Sequence, residues 1–160
     1  MTLQAKSQNN SHLVETQAGT KFIFWQRWLL AASIVLAVFG VLMAFLNRTT
    51  FFDIFNTQIN PIFWGTTNIP AGAAAFQGFV YGVAGAITAG WGITLAFIAH
   101  YAFKQQEKWA WICILESVLV WYLIDTFISV QFNVYFNAIS NTVFLTVFLL
   151  PLIFTRKDFK

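Results

Sequence analysis

Hydrophobic residues gather into four long runs, at 28–46, 72–103, 109–130 and 138–155, and polar residues are confined largely to the gaps between them. Each run is close to, or longer than, the roughly 20 residues a helix needs to cross a bilayer core. A chain in lipid must satisfy its backbone polar groups internally, so runs of this length predict helices rather than isolated strands. The pattern predicts an all-α bundle of four transmembrane helices within 21–160. A flexible polar tail over 1–20, rich in Gln, Asn, Ser and Thr, precedes it. His12 in that tail reads as a solvated histidine.

The gap between the first two runs has a pattern of its own. Phe51, Phe52, Phe55 and Ile59 recur at helical spacing, while Asp53, Asn56 and Thr57 fall on other faces. This predicts a short amphipathic helix lying in the membrane interface, punctuated afterwards by Pro61, Gly65 and Pro70. A lid over a ligand entrance is the functional alternative. Asn47-Arg48-Thr49 matches a glycosylation acceptor.

The second run is too long for the bilayer core, so it tilts or projects. Gly78, Gly82, Ala86 and Gly90 recur every fourth residue along it, with Gly85 and Ala89 broadening the stripe. Small residues at this spacing let helices approach closely in lipid, within one bundle or between copies. The hydrophilic turn at 104–108 implies that the second and third spans are antiparallel neighbours. Pro151, near the far end of the fourth run, frees a carbonyl that neighbouring groups must satisfy.

Composition sharpens this picture. Only 9% of residues are charged, against about 25% in a soluble domain. The basic residues lie scattered in short polar stretches, so the net charge of +3 does not point to nucleic acid. Lys6, Lys21, Arg27, Lys104, Lys108, Arg156, Lys157 and Lys160 all fall on one side of a four-span topology, with Arg48 alone on the other. The positive-inside rule then puts both termini in the cytoplasm, here of a bacterial inner membrane. The single Cys113 excludes an internal disulfide and supplies no metal spacing. No haem-ligating histidine pair, phosphate-binding glycine loop or serine elbow is present, so neither a metal nor a cofactor is expected.

Candidate chemistry concentrates in the third run, which carries Glu116 and Asp125. Eleven Ile, Leu, Val and Phe residues between 109 and 130 contribute roughly −5 kcal/mol to insertion. Two mid-membrane acids would cost roughly +5 to +7 kcal/mol, so this helix is expected to depend on its neighbours. Ser117, Trp121, Asp125 and Ser129 recur every fourth residue on one stripe, whereas Glu116 lies half a turn away from Asp125. The two acids therefore do not form a dyad. Depth, counted up each helix from its basic end, brings Asp125 level with Ser140 and Asn141, with Asn137 above. The same count allows a His100–Glu116 contact at the basic end. A proton path or buried site would use Glu116, His100, Asp125 and Asn141. The plainer alternative is that each acid fastens helices together.

The stretch from Gly90-Trp91-Gly92 through Glu107-Lys108-Trp109-Ala110-Trp111, Trp121, Asp125 and Ser129 to Asn137, Asn141 and Pro151 resembles small four-helix membrane proteins of bacteria. It covers the C-terminal half, and the resemblance implies no activity.

Three functions fit. The first is a non-enzymatic membrane protein that binds a partner or a small apolar ligand, with the lipid bilayer and a second copy or another membrane protein as its company. The second is a small proton-linked transporter using Glu116 and Asp125. The third is a membrane enzyme acting on a lipid or quinone.

Overall fold

The computed structural model describes the backbone of residues 2–159 and the side chains of residues 19–159. Its elements are α1 (Thr2–Leu46), a 3-10 turn (Thr50–Phe52), α2 (Asp53–Trp64), α3 (Ala71–Ile98) running on into a wide π turn (Ala99–Phe103), α4 (Lys108–Gln131), α5 (Tyr135–Thr155) and a closing 3-10 turn (Arg156–Asp158). The fold is all-α. Four stretches are long and apolar enough to cross a membrane: Gly19–Leu46, Ala71–Phe103, Lys108–Gln131 and Tyr135–Asp158. The first is longer than the run at 28–46, because Phe22, Ile23, Phe24 and Trp25 add an apolar turn ahead of Arg27. The polar residues 1–20 differ from expectation: in place of irregular chain, the backbone is helical from Thr2 onward. No proline interrupts α1, and polar composition alone does not end a helix. His12 lies outside the described side chains.

α1 is the axis of the bundle. Its buried positions are Phe22, Gln26, Leu29, Ser33, Leu36 and Gly40, and Asn47 is buried just past its end. Alternating steps of four and three, kept as far as Gly40, are the spacing of knobs-into-holes packing. α3 lies along α1, α5 packs on another flank of α1, and α4 packs chiefly on α5. The second and third spans are joined by a tight turn, yet α3 touches α4 only slightly, mainly through Trp91 and Trp121, whose ring centroids are 5.6 Å apart. The main pairings, α1 with α3 and α4 with α5, are each between consecutive spans, and the second and third spans are the exception.

The α1–α3 contact is a backbone-to-backbone approach. A Cβ added at Gly85 would lie 2.5 Å from the Ala44 nitrogen and 2.6 Å from the Gly40 carbonyl oxygen. One added at Gly92 would lie 2.5 Å from the Ala37 nitrogen. The small residues that make the approach are thus Gly85, Ala89 and Gly92 against Ala37, Gly40 and Ala44. The predicted packing stripe is used along its broadened edge, at Gly85 and Ala89, and its main column runs to one side. Gly78 faces the Arg48 side chain, and Gly82 only reaches the Ala44 carbonyl oxygen at 3.8 Å. Ala86 and Gly90 are exposed, and a Cβ at Gly90 would meet nothing.

Each end of the bundle is closed by aromatic rings. At the basic end Phe22, Phe103 and Phe159 meet, with Phe22 and Phe103 stacked at 5.9 Å and Phe103 and Phe159 4.6 Å apart. Gln26 is buried beside them and donates from Nε2 to the Ala99 carbonyl of the π turn at 3.0 Å. At the opposite end Phe39, Phe52, Phe55 and Phe136 form a cluster beneath α2. The aromatic loop is thus packed inward along that edge. α2 forms where the apolar spacing predicted, and ends on Gly65 in a left-handed conformation (φ 69°) that glycine adopts without strain. Asn47 is buried and donates to the Met43 and Ala44 carbonyls at the end of α1, so its amide serves as a helix cap rather than as an open glycan acceptor.

Pro151 has no N–H for the Val147 carbonyl, four residues earlier in α5. Trp28 supplies the missing donor from α1: its Nε1 lies 3.1 Å from the Val147 oxygen. Trp111 similarly donates to the Leu152 carbonyl at 2.9 Å. Trp28→Phe should therefore cost about 1 kcal/mol of stability, the worth of one hydrogen bond. Adding Pro151→Ala, which restores a backbone donor, should remove most of that cost. A double-mutant cycle by thermal unfolding in detergent checks this; equal costs of Trp28→Phe in both backgrounds would sink the account.

Candidate functional site

Asp125 sits half-buried about one and a half turns before the end of α4, where α5 folds back. Its Oδ1 accepts from Asn137 Nδ2 at 2.8 Å and lies 3.2 Å from the Ser129 hydroxyl. Asn137 Nδ2 is also 2.8 Å from Ser129 Oγ, and Ser129 bonds back to the Asp125 carbonyl at 2.7 Å. This knot lies beside the turn between α4 and α5, where Asn133 takes the left-handed conformation (φ 60°). Further in, Asn141 Nδ2 lies 3.4 Å from Thr126 Oγ1, and the Tyr122 and Thr142 hydroxyls are 3.3 Å apart. The polar residues at the front of the fourth span thus form successive rungs between α4 and α5. Asp125 belongs to the outermost, through Asn137 rather than through Ser140 or Asn141.

The rest of the predicted stripe is divided. Ser117 bonds within its own helix, to the Ile114 carbonyl at 3.1 Å. Trp121 joins three helices, its ring 5.6 Å from Trp91 and 5.2 Å from Phe144. His100 and Glu116 do not come together: among the described residues no hydrogen bond or ion pair joins them. His100 is exposed, packs edge-on against Tyr101 at 4.7 Å, and lines a cleft against α1 together with Arg27 and Lys104. The π turn carries His100 towards α1, away from Glu116. Glu116 is exposed, in the middle of an outward stripe of α4 formed by Trp109, Ile112, Cys113, Val120, Leu123 and Phe127.

A second polar region was not assembled from the sequence. Asp53, Asn56, Thr57 and Asn60 occupy positions i, i+3, i+4 and i+7 of α2, so they share one edge of that helix. They line a cleft of about 650 Å³ between α2, the end of α1 and the start of α3. Its buried floor is Asn60, which donates to the Thr67 carbonyl at 3.1 Å and accepts from Gln77 Nε2 at 2.8 Å. Gln77 Nε2 is also 3.2 Å from the Tyr81 hydroxyl. Arg48 lies across Gly78: a Cβ there would be 2.6 Å from the Arg48 Nε, and Arg48 Nη2 is 3.5 Å from the Ala75 carbonyl oxygen. The signal was present in the sequence as a polar stripe at helical spacing, on the face opposite the phenylalanines.

Among the described residues no group of three or more His, Cys, Asp or Glu side chains is placed to hold a metal ion. Comparison with known proteins gave no match, whether to protein-family models, curated sequences or solved structures. The class is therefore set by the fold: a multi-pass helical membrane protein of four spans.

Proposed function

We propose that this chain is a non-enzymatic protein of the bacterial inner membrane, both termini cytoplasmic, that works by binding a membrane partner through the outer face of α4. The partner we assign is a second copy of the same chain. The observation that carries the reading is the state of Glu116: exposed, without a partner among the described residues, and centred in an apolar stripe about 12 Å along a membrane span. A charged side chain facing lipid costs up to about 2.5 to 3.5 kcal/mol, the value at the centre of a span, and such residues usually face protein instead. A carboxylic acid is both donor and acceptor. Parallel packing of two α4 helices would bring the two Glu116 side chains to equal depth and turn them towards protein instead of lipid. The stripe carries no basic residue that could serve the same purpose.

The proton-linked reading is less well supported. It would join Glu116 to His100 and Asp125 to Asn141, whereas Asp125 is engaged by Asn137 and His100 lies in a different cleft. Asp125 is better explained as a fastener of the α4–α5 hairpin.

Cys113 provides the test, because it is exposed on the same stripe, one turn from Glu116. A short membrane-permeant thiol crosslinker applied to the protein in lipid vesicles should trap homodimers. Glu116→Leu should reduce the dimer yield about fivefold, the worth of one interhelical hydrogen-bonded contact in lipid. Glu116→Gln, which keeps donor and acceptor, should preserve it. Dimer yield unaffected by Glu116→Leu would overturn the reading, as would pH-driven solute uptake that depends on Glu116 in crosslink-free monomers.

A further inference from the structure

We infer that the cleft between α2 and α3 is a binding site for a zwitterionic headgroup of the phosphoethanolamine type, with the phosphate on Arg48 and the ammonium on Asp53. The inference is independent of the dimer proposed through α4. Arg48 and Asp53 line the same cleft, yet no ion pair joins them among the described residues. Arg48 is held in place by two features: Gly78 leaves room for its guanidinium, and the Ala75 carbonyl accepts from Nη2 at 3.5 Å. One of the five guanidinium donors is thus engaged, and the others are open to an anion. The Asp53 carboxylate takes no hydrogen bond among the described residues, and it stands in the first turn of α2.

The two charges define the ligand. A simple anion would meet Asp53, and a simple cation would meet Arg48. A molecule carrying a phosphate and an ammonium a few bonds apart meets both favourably. The floor adds a donor: because Gln77 Nε2 donates to the Tyr81 oxygen, the Tyr81 hydroxyl proton remains free for a phosphate oxygen. The cleft holds about 650 Å³, within the range of small-molecule sites. Its position fits as well. α2 turns Asp53, Asn56, Thr57 and Asn60 to the cleft and leaves Ile54, Ile62 and Phe63 exposed, the division expected of a helix at headgroup level. Phosphoethanolamine reaches such a site either as the headgroup of an intact phospholipid or as a free polar molecule.

The experiment uses the full chain, purified and reconstituted in nanodiscs with equal amounts of phosphatidylethanolamine and phosphatidylglycerol. Lipid retained after stepwise delipidation is counted by native mass spectrometry. Wild type should retain phosphatidylethanolamine in preference to phosphatidylglycerol. Arg48→Gln should lower retention about tenfold, as loss of a charge-assisted contact does. Asp53→Asn should abolish the preference while leaving phosphatidylglycerol bound. Both side chains are exposed, so the fold should survive, and Lys104→Gln at the other end should change nothing. Free O-phosphoethanolamine added at millimolar concentration separates the sources: displacement of lipid assigns the site to a free molecule, and no displacement assigns it to the phospholipid. Equal retention of the two lipids by wild type, or unchanged retention in Arg48→Gln, would overturn the inference.

Discussion

Replacing Gly85 by alanine should destabilise the bundle by about 3 kcal/mol, the upper range for an overpacked core position. The new methyl would lie 2.5 Å from the Ala44 nitrogen and 2.6 Å from the Gly40 carbonyl oxygen. Those are backbone atoms of another helix, and no side-chain rotation can move them aside. The only relief is to push α1 and α3 apart, which loosens the most extensive contact in the protein. Gly90→Ala is the internal control. A Cβ there meets nothing, so the change should be neutral or stabilise by up to about 1 kcal/mol through helix propensity. Gly40→Ala strains the same gap from the other side, so combining it with Gly85→Ala should cost less than the sum of the two. Unfolding by denaturing detergent, followed by circular dichroism, reads all four proteins. Similar stabilities for the Gly85 and Gly90 variants would show that the helices do not approach as described.

These glycines also show what the sequence could and could not reveal. The spans were legible because lipid demands length and apolarity, which a sequence displays directly. Which face of a span meets another helix is less legible, since lipid-facing and core-facing side chains are both apolar. Exposed Val35, Val38 and Phe45 look no different from buried Leu29 and Leu36 in α1. α3 carries small residues in several columns, and spacing along α3 alone centred the stripe on Gly78, Gly82, Ala86 and Gly90, with Gly85 and Ala89 only broadening it. The column actually used is identified by its mate: Ala37, Gly40 and Ala44 present matching small residues on α1. Polar groups gave better guidance, because their partners must lie at equal depth. Counting up α4 and α5 levelled Asp125 with Ser140 and Asn141 and left Asn137 above, about a turn short of the observed pairing with Asn137. Counting could not foresee that the π turn directs His100 towards α1, since depth does not specify azimuth. On α2 the phenylalanines and the polar residues between them each share a face, and apolar spacing alone reports only the first.

Asn137→Ala should cost about 2 to 3 kcal/mol, within the range for hydrogen bonds to charged groups. The asparagine amide reaches both Asp125 Oδ1 and Ser129 Oγ at 2.8 Å, so its loss leaves Asp125 half-buried with only Ser129. Asn141→Ala should cost less, about 1 kcal/mol or below, because its amide lies 3.4 Å from Thr126 at the limit of useful geometry. The comparison with Asp125→Asn separates structure from proton chemistry. An amide oxygen at position 125 can still accept from Asn137, so the substitution removes the charge but keeps the contact. If Asp125 fastens α4 to α5, Asp125→Asn should lose no more than about 1 kcal/mol, the difference between a charged and a neutral acceptor. Asn137→Ala should then be much the worse of the two in unfolding experiments. If Asp125 carries protons, the order reverses in a flux assay: Asp125→Asn should stop pH-driven transport while leaving stability intact, and Asn137→Ala should merely slow it. The two substitutions thus assign Asp125 its role from opposite rankings, whichever assay is read first.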